Sequence, residues 1–244
     1  MIELENIEKT YASGAVLTPV LKGISFKVQA GEYVAIMGAS GTGKSTLMNI
    51  LGCLDKPTGG HYRLDGTDMV SLDDDALSHL RNHKIGFVFQ QSHLLDRASA
   101  LRNVMLPLIY KDQYPEDARQ RAEKALLAVG LSDRMNYRPN QLSGGQQQRV
   151  AIARSLITDP AVILADEPTG NLDSRSGAEI MAIFQRLHTQ GKTILLVTHD
   201  RGLAEHAERI IVLKDGQLAD DQAVNHPRDA EAELQAIADK EPSQ

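Results

Sequence analysis

The sequence predicts an α/β fold, a mainly parallel sheet with helices on its faces, and three observations carry that expectation. The last third alternates strand-like and helix-like stretches: residues 162–165, 177–188, 193–197, 201–206 and 210–213. Strand–helix–strand alternation is the pattern that builds a parallel sheet. A compact apolar run, Tyr33–Met37, flows through a glycine-rich loop into the helical stretch Lys44–Leu51. The 244 residues show no internal repeat and suffice for one large domain, or one core with an inserted subdomain.

The elements follow in order. Residues 2–7 alternate apolar and polar, as do residues 21–28 before the turn Ala30-Gly31-Glu32, so both are expected strands. Residues 62–64 look like another, followed by the turn Asp65-Gly66. The middle is helical in composition over 77–83, 101–108 and 116–129, with Pro115 suited to a first turn and Gly130 to a C-terminal stop. The run 145–157 spaces Val150, Ile152, Ala153, Leu156 and Ile157 at helical intervals. Beyond Asp220 the chain is acidic and polar. Ala230, Leu234 and Ile237 make only a weak apolar stripe there, the pattern of a solvated or frayed helix.

Charge and composition exclude several classes. The 26 Lys+Arg against 32 Asp+Glu give a net charge of -6, with no basic stripe and no Trp, so nucleic acid is not an expected partner. One cysteine, Cys53, cannot form an intrachain disulfide and fits a reducing cytoplasm. The opening MIELENIEKTY is acidic where a signal peptide needs positive charge and a continuous apolar stretch. The apolar runs 161–165 and 194–197 fall far short of the ~20 residues that span a bilayer. A soluble chain is expected, with any membrane part supplied by another polypeptide.

Three motifs carry chemistry. Gly38-Ala39-Ser40-Gly41-Thr42-Gly43-Lys44-Ser45 matches G-x-x-x-x-G-K-[ST], the phosphate-binding P-loop, between an expected strand and an expected helix. Its glycines let several N–H groups converge on one anion, and the helix N-terminus adds partial positive charge. Lys44 would reach the outer phosphates and Ser45 would ligate Mg²⁺, with Thr46 next in the same first turn. Val162-Ile163-Leu164-Ala165-Asp166-Glu167 is an apolar strand ending in two acids. Asp166 would hold the metal and Glu167 would polarise the attacking water. These two motifs predict a P-loop NTPase. The third, Leu142-Ser143-Gly144-Gly145-Gln146, opens the 145–157 helix as a second anion site, built from a hydroxyl, glycine N–H groups and a helix N-terminus.

With that LSGGQ signature the chain closely resembles an ABC (ATP-binding cassette) nucleotide-binding domain over roughly residues 1–220. The resemblance implies a RecA-like P-loop core, an N-terminal antiparallel β subdomain, an inserted helical signature subdomain at about 91–158, and a polar acidic tail at 221–244. It implies ATP and Mg²⁺ as ligands and ATP hydrolysis as the activity. It also assigns Tyr11 to adenine stacking, Gln90 to Mg²⁺ and the membrane subunit, Asn171-Leu172-Asp173 to the D-loop with Asp173 among the nucleotide contacts, and His199 to the γ-phosphate. In the family the signature Ser143-Gly144-Gly145-Gln146 acts on ATP held by a second subunit, so a homodimer sandwiching two ATPs is implied.

Leu54-Asp55-Lys56-Pro57-Thr58-Gly59-Gly60, the stretch 85–90, and Pro168-Thr169-Gly170-Asn171-Leu172-Asp173-Ser174 resemble the macrolide-exporter and lipoprotein-releasing ATPases. That subgroup implies integral membrane permease partners with few spans and a large extracytoplasmic domain, and a peripheral place on the cytoplasmic face of the inner membrane. Importer ATPases share every catalytic motif, and some ABC ATPases serve cell division, translation or repair; these stand as alternatives to export or extracytoplasmic mechanotransmission.

Overall fold

The architecture comes from a computed structural model that describes residues 1–14, 16–111 and 113–239. Burial with period two builds the N-terminal sheet. In β1 (Ile2–Ser13) Ile2 and Leu4 are buried, then Ile7 and Lys9. The phase changes at Asn6, whose φ of 50° marks a bulge where the register against the next strand shifts. β1 pairs antiparallel with β2 (Val16–Val28) and, on its other side, with β4 (Gly59–Leu64), which turns into the short β5 (Thr67–Asp68).

Strands with β-branched and leucine cores form the second sheet. β3 (Tyr33–Met37), β6 (Ile85–Val88), β7 (Val162–Asp166), β8 (Thr193–Thr198) and β9 (Arg209–Lys214) are parallel, and β10 (Gln217–Ala223) closes one edge antiparallel, in the order β10-β9-β3-β8-β7-β6. Each parallel strand buries both faces. Along β3, Val34 and Ile36 join the core shared with the N-terminal sheet and α1 (Lys44–Leu51). Tyr33 and Ala35 join the opposite core, which runs into α3 (Ala100–Met105), α4 (Ala118–Ala128), α5 (Gly144–Leu156) and α6 (Ser174–Thr189). Three further helices are α2 (Asp74–Lys84), α7 (Arg201–Ala204) and α8 (Ala230–Ala238). No described helix is long and apolar enough to cross a membrane.

The expected α/β core is present, with an antiparallel N-terminal sheet beside it. Several bounds differ for identifiable reasons. β1 and β2 extend as a hairpin past residue 7 and back from residue 21, pairing Tyr11 with Thr18 through the backbone while their side chains stay exposed. The 101–108 helix breaks into the 3₁₀ turn Leu106–Tyr110, because Pro107 cannot donate into the α-ladder. Pro115 lies before the N-cap Asp117, not inside the first turn of α4. The tail differs most. β10 runs across the 220/221 boundary to Ala223, and α8, largely solvated over residues 231–238 as expected, is anchored at its first residue. Ala230 is fully buried, and the Gln185 side chain of α6 accepts from Ala230 N (2.9 Å) and donates to Arg228 O (2.7 Å). Residues 240–244 of the expected tail lie outside the described residues.

Candidate functional site

Parallel pairing brings three strand ends to one edge. Met37 of β3 registers with Thr198 of β8, and Asp166 of β7 with Val197, so the segments after β3, β7 and β8 share the sheet's carboxyl side. Open α/β sheets bind ligands there. The loop leaving β3 enters α1 at Gly43, a left-handed N-cap with φ 100° and no side-chain cap. The first N–H groups of α1 therefore have no intrahelical partner, which makes the helix start an anion site. A side chain at Gly43 would lie 2.7 Å from Leu21 Cδ2, and one at Gly38 would lie 2.6 Å from Leu213 O, so the loop can curl this tightly only with glycine at both. The Lys44 ammonium lies along the loop, donating to Gly38 O (2.7 Å) and Ala39 O (2.9 Å), and Thr42 Oγ1 also donates to Ala39 O. Ala39, Ser40, Gly41 and Ser45 are exposed, and Thr46 is half-buried.

Asp166 ends β7 half-buried. Burial raises its carboxyl pKa above the ordinary value, the neighbouring Glu167 charge raises it further, and Lys44 opposes both. A raised folded-state value means that ionised Asp166 destabilises the fold, fully so above that value and not at all below the unfolded one. Asp166→Asn is accordingly expected to raise the nucleotide-free melting temperature at neutral pH. The gain should vanish as pH falls through the raised value towards that of a free aspartate. Thermal melts of both proteins across pH 3–8 check this, and a gain that grew on acidification would overturn the assignment. The Ser45 hydroxyl, Asp166 carboxylate and Gln90 amide oxygen are hard oxygen donors of the kind Mg²⁺ takes, and a half-buried carboxylate with raised proton affinity is one that a cation would ionise. The residues fit Mg²⁺.

Glu167 takes φ 45°, a left-handed conformation costing about 1–3 kcal/mol at a non-glycine residue. Neighbouring bonds hold it there. Its N–H donates to Val197 O (2.8 Å), and its carboxylate accepts from Thr198 Oγ1 (3.0 Å), His199 N (2.9 Å) and His199 Nδ1 (2.6 Å). A ring nitrogen facing a carboxylate carries the proton, so Nε2 is the atom His199 keeps for a ligand. The His199 side chain is 70% exposed while that of Glu167 is 15% exposed. Thr198 was not singled out in the sequence, although it sits inside the Val197-Thr198-His199-Asp200 stretch.

Gln90 lies exposed beyond β6, its amide against the turn after Glu167, where a Cβ on Gly170 would meet Gln90 Nε2 at 2.7 Å. Side chains of α5 hold the surrounding segment. Gln148 Nε2 donates to Phe89 O (2.8 Å), and Arg154 donates to Ser92 O (2.6 Å) and His93 O (2.8 Å). Periodicity counts these two as ordinary helix-surface residues, and only the packing of α5 against β6 reveals the clamp.

Ser143 is the N-cap of α5. Its hydroxyl accepts from Gln146 N (3.2 Å) while Gln146 Oε1 accepts from Ser143 N (3.0 Å), a capping box that leaves the hydroxyl proton available to donate. A Cβ on Gly144 would touch Leu172 (3.4 Å), and one on Gly145 would press on Ser176 Oγ (2.8 Å), so the signature loop rests on the D-loop of its own chain. Asp173, expected among the nucleotide contacts, caps α6, accepting from Ser176 N (2.9 Å) and Ser176 Oγ (2.8 Å). Tyr11 is 42% exposed on β1, and its hydroxyl donates to Asp55 Oδ2 (2.9 Å).

The P-loop, Asp166, Glu167, His199 and Gln90 thus gather at one sheet edge, and Ser143–Gln146 occupies a separate helix start beside the D-loop. The family model for "ABC transporter" matches residues 21–170. The ABC transporter ATP-binding protein YvrO of Bacillus subtilis is 54% identical over 91% of this chain and 97% of its own length. The macrolide export ATP-binding/permease protein MacB 1 of Yersinia pestis is 52% identical over the whole chain, which spans 38% of that relative. A solved dimeric structure of the ATP-binding cassette MJ0796, bound to ADP and Pi, superposes with a TM-score of 0.84 at 47% identity, over 92% of this chain and 99% of that one. The chain belongs to the ABC transporter family, in which it is an ATP-binding subunit that hydrolyses ATP.

Proposed function

We propose that two copies of this chain close on two ATP molecules and drive a membrane permease. The observation that carries this reading is the pair of anion-facing helix starts on one chain, α1 at the sheet edge and α5 on the D-loop. The dimeric state of the solved cassette supports it. ATP sits with its triphosphate on the Gly38–Ser45 loop and its base on Tyr11. Lys44 neutralises the outer phosphates, and the partner copy's signature loop donates through its hydroxyl and glycine N–H groups. Ser45, Asp166 and Gln90 would hold Mg²⁺, which would supply charge neutralisation for the phosphates. Glu167 takes a proton from the water whose oxygen attacks the γ-phosphorus in line, ADP leaves, and His199, in the doubly protonated form that keeps Nδ1–H on Glu167, donates Nε2–H to the transferred group. Asp173 shapes the D-loop through Ser176.

The permease reading draws on a cleft of about 660 Å³ lined by Leu54, Phe87, Phe89, Leu106, Pro107 and Tyr110 with Arg81 and Arg154 among its polar groups. It adjoins the segment that α5 clamps around Gln90, so movement of α5 would reach whatever fills it. The permeases of this reading have few spans and a large extracytoplasmic domain, and the chain works on the cytoplasmic face of the inner membrane; the likeness to macrolide-export proteins supports both. If the site is shared between two copies, specific activity should rise with enzyme concentration until dimers saturate. Steady-state rates across a dilution series, alongside gel filtration, test this. Constant specific activity at concentrations where only monomer elutes would show a site complete in one chain.

A further inference from the structure

A cluster beside Tyr11 has no part in the chemistry above. Lys9 and Tyr11 stand two apart on β1 and so share one face of the strand. The Lys9 side chain is only 10% exposed, and its ammonium lies 4.9 Å from the Tyr11 ring centroid. It donates to Asp55 Oδ1 (2.6 Å) and Lys56 O (2.7 Å), while Asp55 Oδ2 accepts from the Tyr11 hydroxyl (2.9 Å). One carboxylate therefore bridges the cation at the ring and the hydroxyl at its far end. Asp55 is itself tied to the P-loop helix: Leu54 N and Asp55 N both donate to Asn49 O of α1 (2.8 and 3.2 Å). The element that begins at the phosphate loop thus ends by gripping the tyrosine.

We infer that Lys9 and Asp55 are positioning residues for the nucleobase, holding the Tyr11 ring at a set place relative to the phosphate loop. An exposed tyrosine on a hairpin turns about two side-chain torsions, and ordering it on binding costs affinity. A tether at the hydroxyl and a cation against the ring remove that freedom beforehand. The inference rests on the reading of Tyr11 as the base-stacking residue. The bland competitor is a staple that only joins β1 to the loop after α1.

ATP and inorganic tripolyphosphate separate the two, since the second ligand has phosphates and no base. Both would be titrated, with Mg²⁺ present, into wild type, Tyr11→Ala, Tyr11→Phe and Asp55→Ala. Tyr11→Phe keeps the ring and the Lys9–Asp55 pair, so it answers even if Asp55→Ala folds poorly. It should weaken ATP about fivefold, the worth of one net hydrogen bond, and leave tripolyphosphate unchanged. Asp55→Ala should show the same selectivity at about tenfold, with KM for ATP raised and kcat held within about twofold. Wild-type ATP affinity in Tyr11→Phe and Asp55→Ala, beside a loss in Tyr11→Ala, would leave stacking intact and overturn the positioning role. Equal losses for both ligands would also overturn it, in favour of the staple. Wild-type ATP affinity in Tyr11→Ala would instead remove the stacking reading itself, and the inference with it.

Discussion

Glu167→Gln is expected to bind ATP with near wild-type affinity and to hydrolyse it about 10²–10⁴-fold more slowly, the usual contribution of a positioned general base. The substitution keeps the shape of the side chain and the left-handed backbone at φ 45°. Its amide oxygen can still accept from His199 N and Nδ1, which now meet Glu167 Oε1 at 2.9 and 2.6 Å. An amide cannot take the water's proton. Closure should then outlast the stalled reaction, so an ATP-dependent dimer should accumulate on gel filtration while phosphate release falls. Near-normal turnover would remove Glu167 from the chemistry, and His199 would inherit the role by proximity.

Ser143→Arg and Lys44→Ala are expected to fail at different stages. Lys44 acts on nucleotide held by its own chain, so its loss removes a charge-assisted contact worth about 1.5–3 kcal/mol and should weaken binding to the monomer. Ser143 is proposed to act on nucleotide held by the other copy. An arginine there fills the start of α5 and removes the bond from Gln146 N, a cap worth ~1 kcal/mol. The helix should survive that loss, because Val150, Ile152 and Ala153 remain buried in the core. The dilute Ser143→Arg monomer should bind ATP as wild type does, yet neither dimerise nor hydrolyse. Equilibrium ATP titration of both variants, with activity measured at high concentration, checks this. Loss of monomer binding in Ser143→Arg would place the signature loop in the chain's own site and end the two-copy reading.

Local chemistry determined much of this protein from its sequence alone. The apolar run Tyr33–Met37, the glycines at 38, 41 and 43, and the start of α1 at Lys44 are legible because strand burial, left-handed turns and helix starts are decided within a few residues. The acids ending β7 and the histidine ending β8 follow from the same alternation, since parallel strands deliver their ends to one edge. Tertiary structure decided what depended on distant partners. Periodicity could not show Asp55 gripping Tyr11 across 44 positions, Gln148 and Arg154 holding the Gln90 segment across about 60, or Gln185 seating α8 across 45. The family resemblance placed Asp173 in the D-loop, and only the packing of α6 showed both its oxygens engaged by Ser176. A residue's type limits which bonds it can make, but which partner comes within reach is set by how the sheets and helices pack.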